Sequence, residues 1–129
     1  MNKLFDITGK VVVITGGTGV LGKAIAKYLS LEGAKVVIVE DLISTGMSSL
    51  AAKNALVNAG ADILGMVAIF SYNFNQARKA FEDSNVELTT LSNYDTLIEV
   101  ATEIGYVKES DKEVLKEWRI SPSTWGKNE

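Results

Sequence analysis

The chain has 129 residues, 47% of them hydrophobic and 22% charged, with a net charge of −3 and neither cysteine nor histidine. This length fits one domain, residues 1–129, able to bury about two thirds of its unfolded surface. Mild acidity without a basic face excludes nucleic acid as the main partner. The missing residue types exclude disulfides, a thiolate nucleophile, zinc–cysteine centres and the commonest general base, so no metal site is expected.

The elements follow in a regular alternation. "KVVVIT" (10–15) is a β-branched run of the kind buried on both faces of a parallel sheet. "GVLGKAIAKYLSLEG" has helical spacing, with Leu21, Ile25, Tyr28 and Leu29 expected to face the core and Gly33 to stop it. "AKVVIVE" (34–40) is a second strand. "SSLAAKNALVNAG" is a helix with Leu50, Leu56 and Val57 inward, and "DILGMVAIF" (62–70) is a third strand. "NQARKAFEDSN" is a short helix that exposes Arg78 and Lys79, and "VELTTLSN" (86–93) is a fourth strand. "YDTLIEVATEIG" is a helix capped by Ser92 or Asn93. "SDKEVLKEWR" is a last helix, opened by a Ser110/Glu113 capping box. Phe70, Tyr72 and Phe74 read as core and rim aromatics, and Trp118 and Trp125 as packing the last helix and tail onto the sheet.

Strands alternating with helices of this length predict parallel βαβ units. The expected fold class is α/β: a Rossmann-like three-layer sandwich of about four parallel strands with helices on both faces. The apolar stretch Ile63–Phe70 is too short to span a bilayer, and the N-terminus lacks the apolar run of a signal peptide. The expected location is the cytoplasm, with no membrane partner.

Two loops carry the candidate chemistry. In the first, Gly16, Thr18, Gly19, Val20 and Gly22 lie between a strand and a helix, the arrangement that brings a pyrophosphate to bare backbone and a helix N-terminus. Glu40 ends the next strand, where an acid accepts from an adenosine ribose. In the second, Glu40 and Asp41 precede Ser44, Thr45, Gly46, Met47, Ser48 and Ser49. Two acids can take two vicinal ribose hydroxyls, and a Ser/Thr/Gly turn at a helix N-terminus can wrap a phosphate.

The stretch "FDITGKVVVITGGTGVLGKAIAKYLSLEGAKVVIV", about residues 4–39, resembles the opening βαβ unit of short-chain dehydrogenases/reductases. In that family the positions of Gly16, Gly19 and Gly22 line the cofactor pyrophosphate, and an acid at Glu40 implies NAD rather than NADP. The family's Tyr-x-x-x-Lys pair is absent: Glu32, Gln76, Ile98 and Ser110 stand four residues after the four tyrosines. The stretches "EDLISTG", "GMVAIFSY", "LTTLSNYDTLIEVA" and "LKEWR" are similar to the carboxyl-terminal half of orotate phosphoribosyltransferases, over about residues 35–129. That likeness implies phosphoribosyl pyrophosphate (PRPP) binding at residues 40–49. Met47 stands where that family's loop usually has glycine. The pyrophosphate loop and the mobile loop with catalytic lysine and histidine belong upstream of the motif, where this chain is dehydrogenase-like.

Two half-resemblances meeting in one strand lead to the expectation of an engineered fragment chimera. Such a chain would have no evolved catalytic activity, no catalytic residues and no required cofactor. The alternative is a module that binds NAD, PRPP or another phosphate-bearing small molecule weakly, and a residual orotate phosphoribosyltransferase ranks last. An apolar patch left without its usual cover would favour self-association.

Overall fold

The computed structural model describes residues 6–17 and 19–126. Four strands form one parallel sheet in the order β1-β2-β3-β4: β1 (Val11–Thr15), β2 (Lys35–Ile43), β3 (Asp62–Ser71) and β4 (Leu88–Asn93). The connections are helices α1 (Val20–Leu31), α2 (Met47–Asn58) and α3 (Asn75–Asp83), and β4 runs on into α4 (Tyr94–Glu103) and α5 (Lys112–Ile120). The expected α/β class is borne out as a three-layer, Rossmann-like arrangement around four parallel strands.

The main core lies between one sheet face and α1–α3. Ile14, Val36, Ile38, Ile43, Met66 and Ala68 from the strands meet Ala26, Leu50, Leu56, Ala77 and Phe81 from the helices. Right-handed crossovers between sequential neighbours put all three helices on this one face. On the opposite face α4 and α5 form the third layer, over the carboxyl ends of β3 and β4. The pairing of β2 with β3 skips Asp41 and Ile69, so beyond Ala68 it is Ser71, beside Ile43, that is buried on the core side, and Phe70 and Tyr72 turn to the opposite face. Tyr72 stacks on Phe74 at 5.2 Å and meets Trp118 edge-on at 5.7 Å, while Tyr94 and Trp118 lie 5.3 Å apart. Arg119 locks this layer: its Nε is 3.1 Å from Asp95 Oδ1, and it donates a 3.0 Å hydrogen bond to the Asn73 carbonyl.

Several expectations require correction. Leu21, Ile25 and Tyr28 are exposed, and α1 buries Ala26 instead. Gly22, in the first turn of α1, sits against the backbone of the first loop, and this close approach turns Ala26, one turn on, toward the sheet. Val57 is also exposed, while Ser49 and Ala52 join Leu50 and Leu56 inside. Strand β2 continues to Ile43, so Asp41 is strand rather than turn. Asn93, not Ser92, caps α4, accepting from the Thr96 amide at 3.0 Å. The capping box before α5 does not form: a 3-10 turn covers Glu109–Asp111, the Ser110 hydroxyl donates to Asp111, and Glu113 pairs with Lys116. Among the described residues, no helix is long and apolar enough to cross a membrane.

Candidate functional site

All four strands run the same way, so both glycine loops leave the carboxyl edge of the sheet. They do not leave it at one level. Thr15, the end of β1, pairs with Val39, and β2 runs four residues further to Ile43. Gly16 therefore stands beside Glu40, and Ser44–Gly46 stand a step beyond.

In the first loop Gly16 has φ +65°, and Gly19, the N-cap of α1, is bonded to the Gly16 carbonyl at 3.0 Å. A Cβ on Gly22 would strike the Gly16 carbonyl oxygen and come within 2.8 Å of Gly17 Cα. The last glycine of the motif is thus required for helix-on-loop packing whatever the loop binds. Val20 begins α1 and is almost fully exposed. Thr18 lies outside the described residues.

The second loop is built differently. Gly46 is left-handed at φ +76° and forms the N-cap of α2 without a side-chain cap. The first helical bond is Leu50 N–H to the Gly46 carbonyl, at 2.9 Å. The amides of Met47, Ser48 and Ser49 precede it, so they belong to the first turn, which has no intrahelical acceptor. Their orphan donors and the helix dipole favour an anion there. Met47 is exposed, so its departure from glycine puts the side chain in solvent. Phe81 of α3 closes against Gly46, whose Cβ position lies 2.7 Å from the ring.

Glu40 faces the same way as Ile38, toward buried Ser49. Burial pushes its carboxyl above the usual 4.5, against the Ser49 hydroxyl bond that lowers it, and the neighbouring Asp41 charge raises it further. Asp41 is exposed and accepts from the Leu42 amide at 2.7 Å. Glu40 and Asp41 thus lie in β2 just before the second loop, with the Glu40 carboxyl at Ser49 of α2. Glu40 is committed to α2 rather than to the first loop.

Beside this loop, a cleft of about 280 Å³ opens between α3 and β4, with Asn73, Phe74, Arg78, Phe81 and Thr90 among its lining residues. Arg78, expected on a solvated face of α3, is exposed there and its side chain lines the mouth of this cleft. Among the described residues, no group of three acidic or other ligating side chains could hold a metal.

Comparison with known proteins bears out both resemblances. The profile of the NAD dependent epimerase/dehydratase family matches residues 12–120. An orotate phosphoribosyltransferase of Listeria innocua is 54% identical over 96 residues, 74% of this chain and 46% of that protein. One from Porphyromonas gingivalis is 50% identical over 93 residues, 72% of this chain and 44% of that protein. The chain thus spans about half the length of the curated relatives it matches. Among solved structures, the orotate phosphoribosyltransferase of Aeropyrum pernix aligns with a TM-score of 0.54 at 18% identity, covering 81% of this chain and 71% of that one. The Francisella tularensis enzyme aligns at 0.55 and 18%, covering 88% and 70%. These two likenesses establish the fold.

The expectation of an engineered, designed chimera without evolved activity is overturned by these relatives. Identity near one half, sustained over more than 90 residues of natural enzymes named orotate phosphoribosyltransferase, overturns both that expectation and the reading of the chain as a non-enzyme. The continuity of the likeness downstream of residue 35 outweighs the catalytic groups missing upstream of it. On the profile match, which runs through well over half of its length, the chain belongs to the NAD dependent epimerase/dehydratase family.

Proposed function

We propose that the chain binds the phosphoribosyl group of PRPP at residues 40–49 and serves phosphoribosyl transfer to an orotate-like base. The observation that carries this reading is the second loop: a left-handed Gly46 capping α2, three first-turn amides, and two acids at its mouth. The 5′-phosphate sits on the amides of Met47, Ser48 and Ser49, with the hydroxyls of Ser44, Thr45 and Ser48 around it. The ribose hydroxyls donate to Glu40 and Asp41. Ser49 holds the Glu40 carboxylate in place, so that the acid meets the sugar already oriented.

The cleft lined by Asn73, Arg78 and Thr90 takes the acceptor base. The Arg78 guanidinium supplies the planar donor pair that a carboxylate on the base would engage. The chain has no histidine, so proton transfer to the departing pyrophosphate falls to another donor, such as lysine or water. The first loop is assigned no ligand here, because its ribose acid, Glu40, faces Ser49.

Titration calorimetry with PRPP and magnesium tests the reading. Wild type should give a saturable heat that Asp41→Asn and Glu40→Gln each reduce, and NAD should give none. Incubation with PRPP and orotate should release nucleotide, and Arg78→Ala should raise the KM for orotate more than it lowers kcat. Absence of any PRPP heat, or NAD heat that survives Glu40→Gln, would sink the assignment.

A further inference from the structure

Two features left idle by the proposed site lie on the same side of the molecule. Strand β1 is an edge: among the described residues, only β2 pairs with it. The Lys10 carbonyl accepts from Lys35 N–H at 2.8 Å, and main-chain groups alternate along a strand. The N–H and C=O of Val11, Val13 and Thr15 therefore point to the free edge. Val-Val-Val-Ile-Thr contains no charge and no proline, and no bulge interrupts its register, so the devices that normally block edge pairing are absent. Val11 and Val13 are 56% and 62% exposed on the face away from α1.

The second feature is α1. Leu21, Ile25 and Tyr28 recur at helical spacing and are 73%, 45% and 64% exposed. With Ala26 and Leu29 turned to the sheet, these three lie on one flank of the helix, and Lys23 and Lys27 on the other. In a right-handed β1-α1-β2 crossover that apolar flank is the one overhanging β1's free edge, and the lysine flank is the one toward α2.

We propose that this side of the molecule binds a second copy of the same chain. The two β1 strands pair antiparallel about a two-fold axis at Val13, with Val11 opposite Thr15, and make one eight-stranded sheet. A two-fold axis perpendicular to the sheet sets α1 against its own symmetry mate, Leu21, Ile25 and Tyr28 interlocking, so strand and helix are satisfied by one isologous contact. The exposed parts of Leu21, Ile25 and Tyr28 come to roughly 400 Å², about half of the ~800 Å² each partner gives to a standard interface, before the strand's main chain and the cross-strand contacts of Val11 and Val13 are counted. A partner of different chemistry would have no reason to match both an open strand edge and a helix flank in this geometry, whereas a second copy does so by symmetry.

Sedimentation equilibrium, or size exclusion with light scattering, tests this on the full chain. Wild type should have twice the chain mass. Val13→Lys on the sheet and Tyr28→Glu on the helix should each raise the dimer Kd at least about tenfold with unchanged circular dichroism. Leu91→Lys, an equally exposed site on β4 at the far edge, should leave the dimer intact. A monomeric wild type overturns the proposal, as does a dimer that survives both Val13→Lys and Tyr28→Glu or one that Leu91→Lys dissociates.

Discussion

Gly46→Ala probes the structure where fold and candidate site meet. Gly46 holds φ +76° to turn the chain from β2 into α2, a conformation that costs a residue with a Cβ roughly 1–2 kcal/mol. The new methyl would also lie 2.7 Å from Cε2 and 3.3 Å from Cδ2 of Phe81. That ring is buried in the core and cannot swing aside freely, so overpacking adds about 1–3 kcal/mol. The sum is about 3 kcal/mol, a fall in Tm of about 10 °C for a chain of this size. Gly60→Ala isolates the backbone part: Gly60 has φ +92°, but nothing lies within 4 Å of its Cβ position. Urea denaturation should show Gly46→Ala losing clearly more stability than Gly60→Ala, with Phe81→Leu in the Gly46→Ala background recovering part of the excess. Equal losses for the two glycine variants would refute the contact with Phe81, and an unchanged midpoint for Gly46→Ala would refute the left-handed cap as well.

The pKa of Glu40 is raised in the folded state, so folding favours its protonated form; the ionised form weakens the fold as pH rises through the folded value. Glu40→Gln should therefore have a higher Tm than wild type at neutral pH, and the difference should vanish below 4.5, as thermal scans across pH would show. Asn93→Ala removes the cap bond to the Thr96 amide and should cost about 1 kcal/mol in urea denaturation, with Asn93→Asp retaining most of it. Arg119→Ala frees Asp95 and the Asn73 carbonyl and should cost about 1–2 kcal/mol while changing the fluorescence of Trp118, which packs in the same layer.

The parts of the fold that could be read from sequence are those set by local rules. The β-branched runs fixed four strands, and the intervening glycines fixed where helices stop, because both act within a few residues. Asn93 was readable as a cap for the same reason. Helix rotation was not readable. Leu21, Ile25 and Tyr28 make as good a stripe as any core face, and only the backbone contact of Gly22 with Gly16 decides that Ala26 points inward. The extent of β2 was missed because Glu40 and Asp41 look like a turn, yet Leu42 and Ile43 still pair with Phe70 and Ser71. The candidate acids and the Ser/Thr/Gly loop were legible as residue types. That Glu40 turns to Ser49 depends on register across two elements, which no local pattern carries.

Strand order has a consequence for how such a chain can fold and change. In the sequence β1-β2-β3-β4 each strand touches only the strands before and after it along the chain, so the sheet grows like a stack of repeats. Contacts stay short in sequence separation, which favours fast assembly for a parallel sheet. The end strand β1 pairs with one neighbour, not two, through the register Val11↔Lys35 to Thr15↔Val39, and its unit adds Ile14 and Ala26 to the shared core. Fraying of the first βα unit would leave the β2–β4 pairing and the contact of Gly46 with Phe81 in place, while opening the core at Ile14 and Ala26.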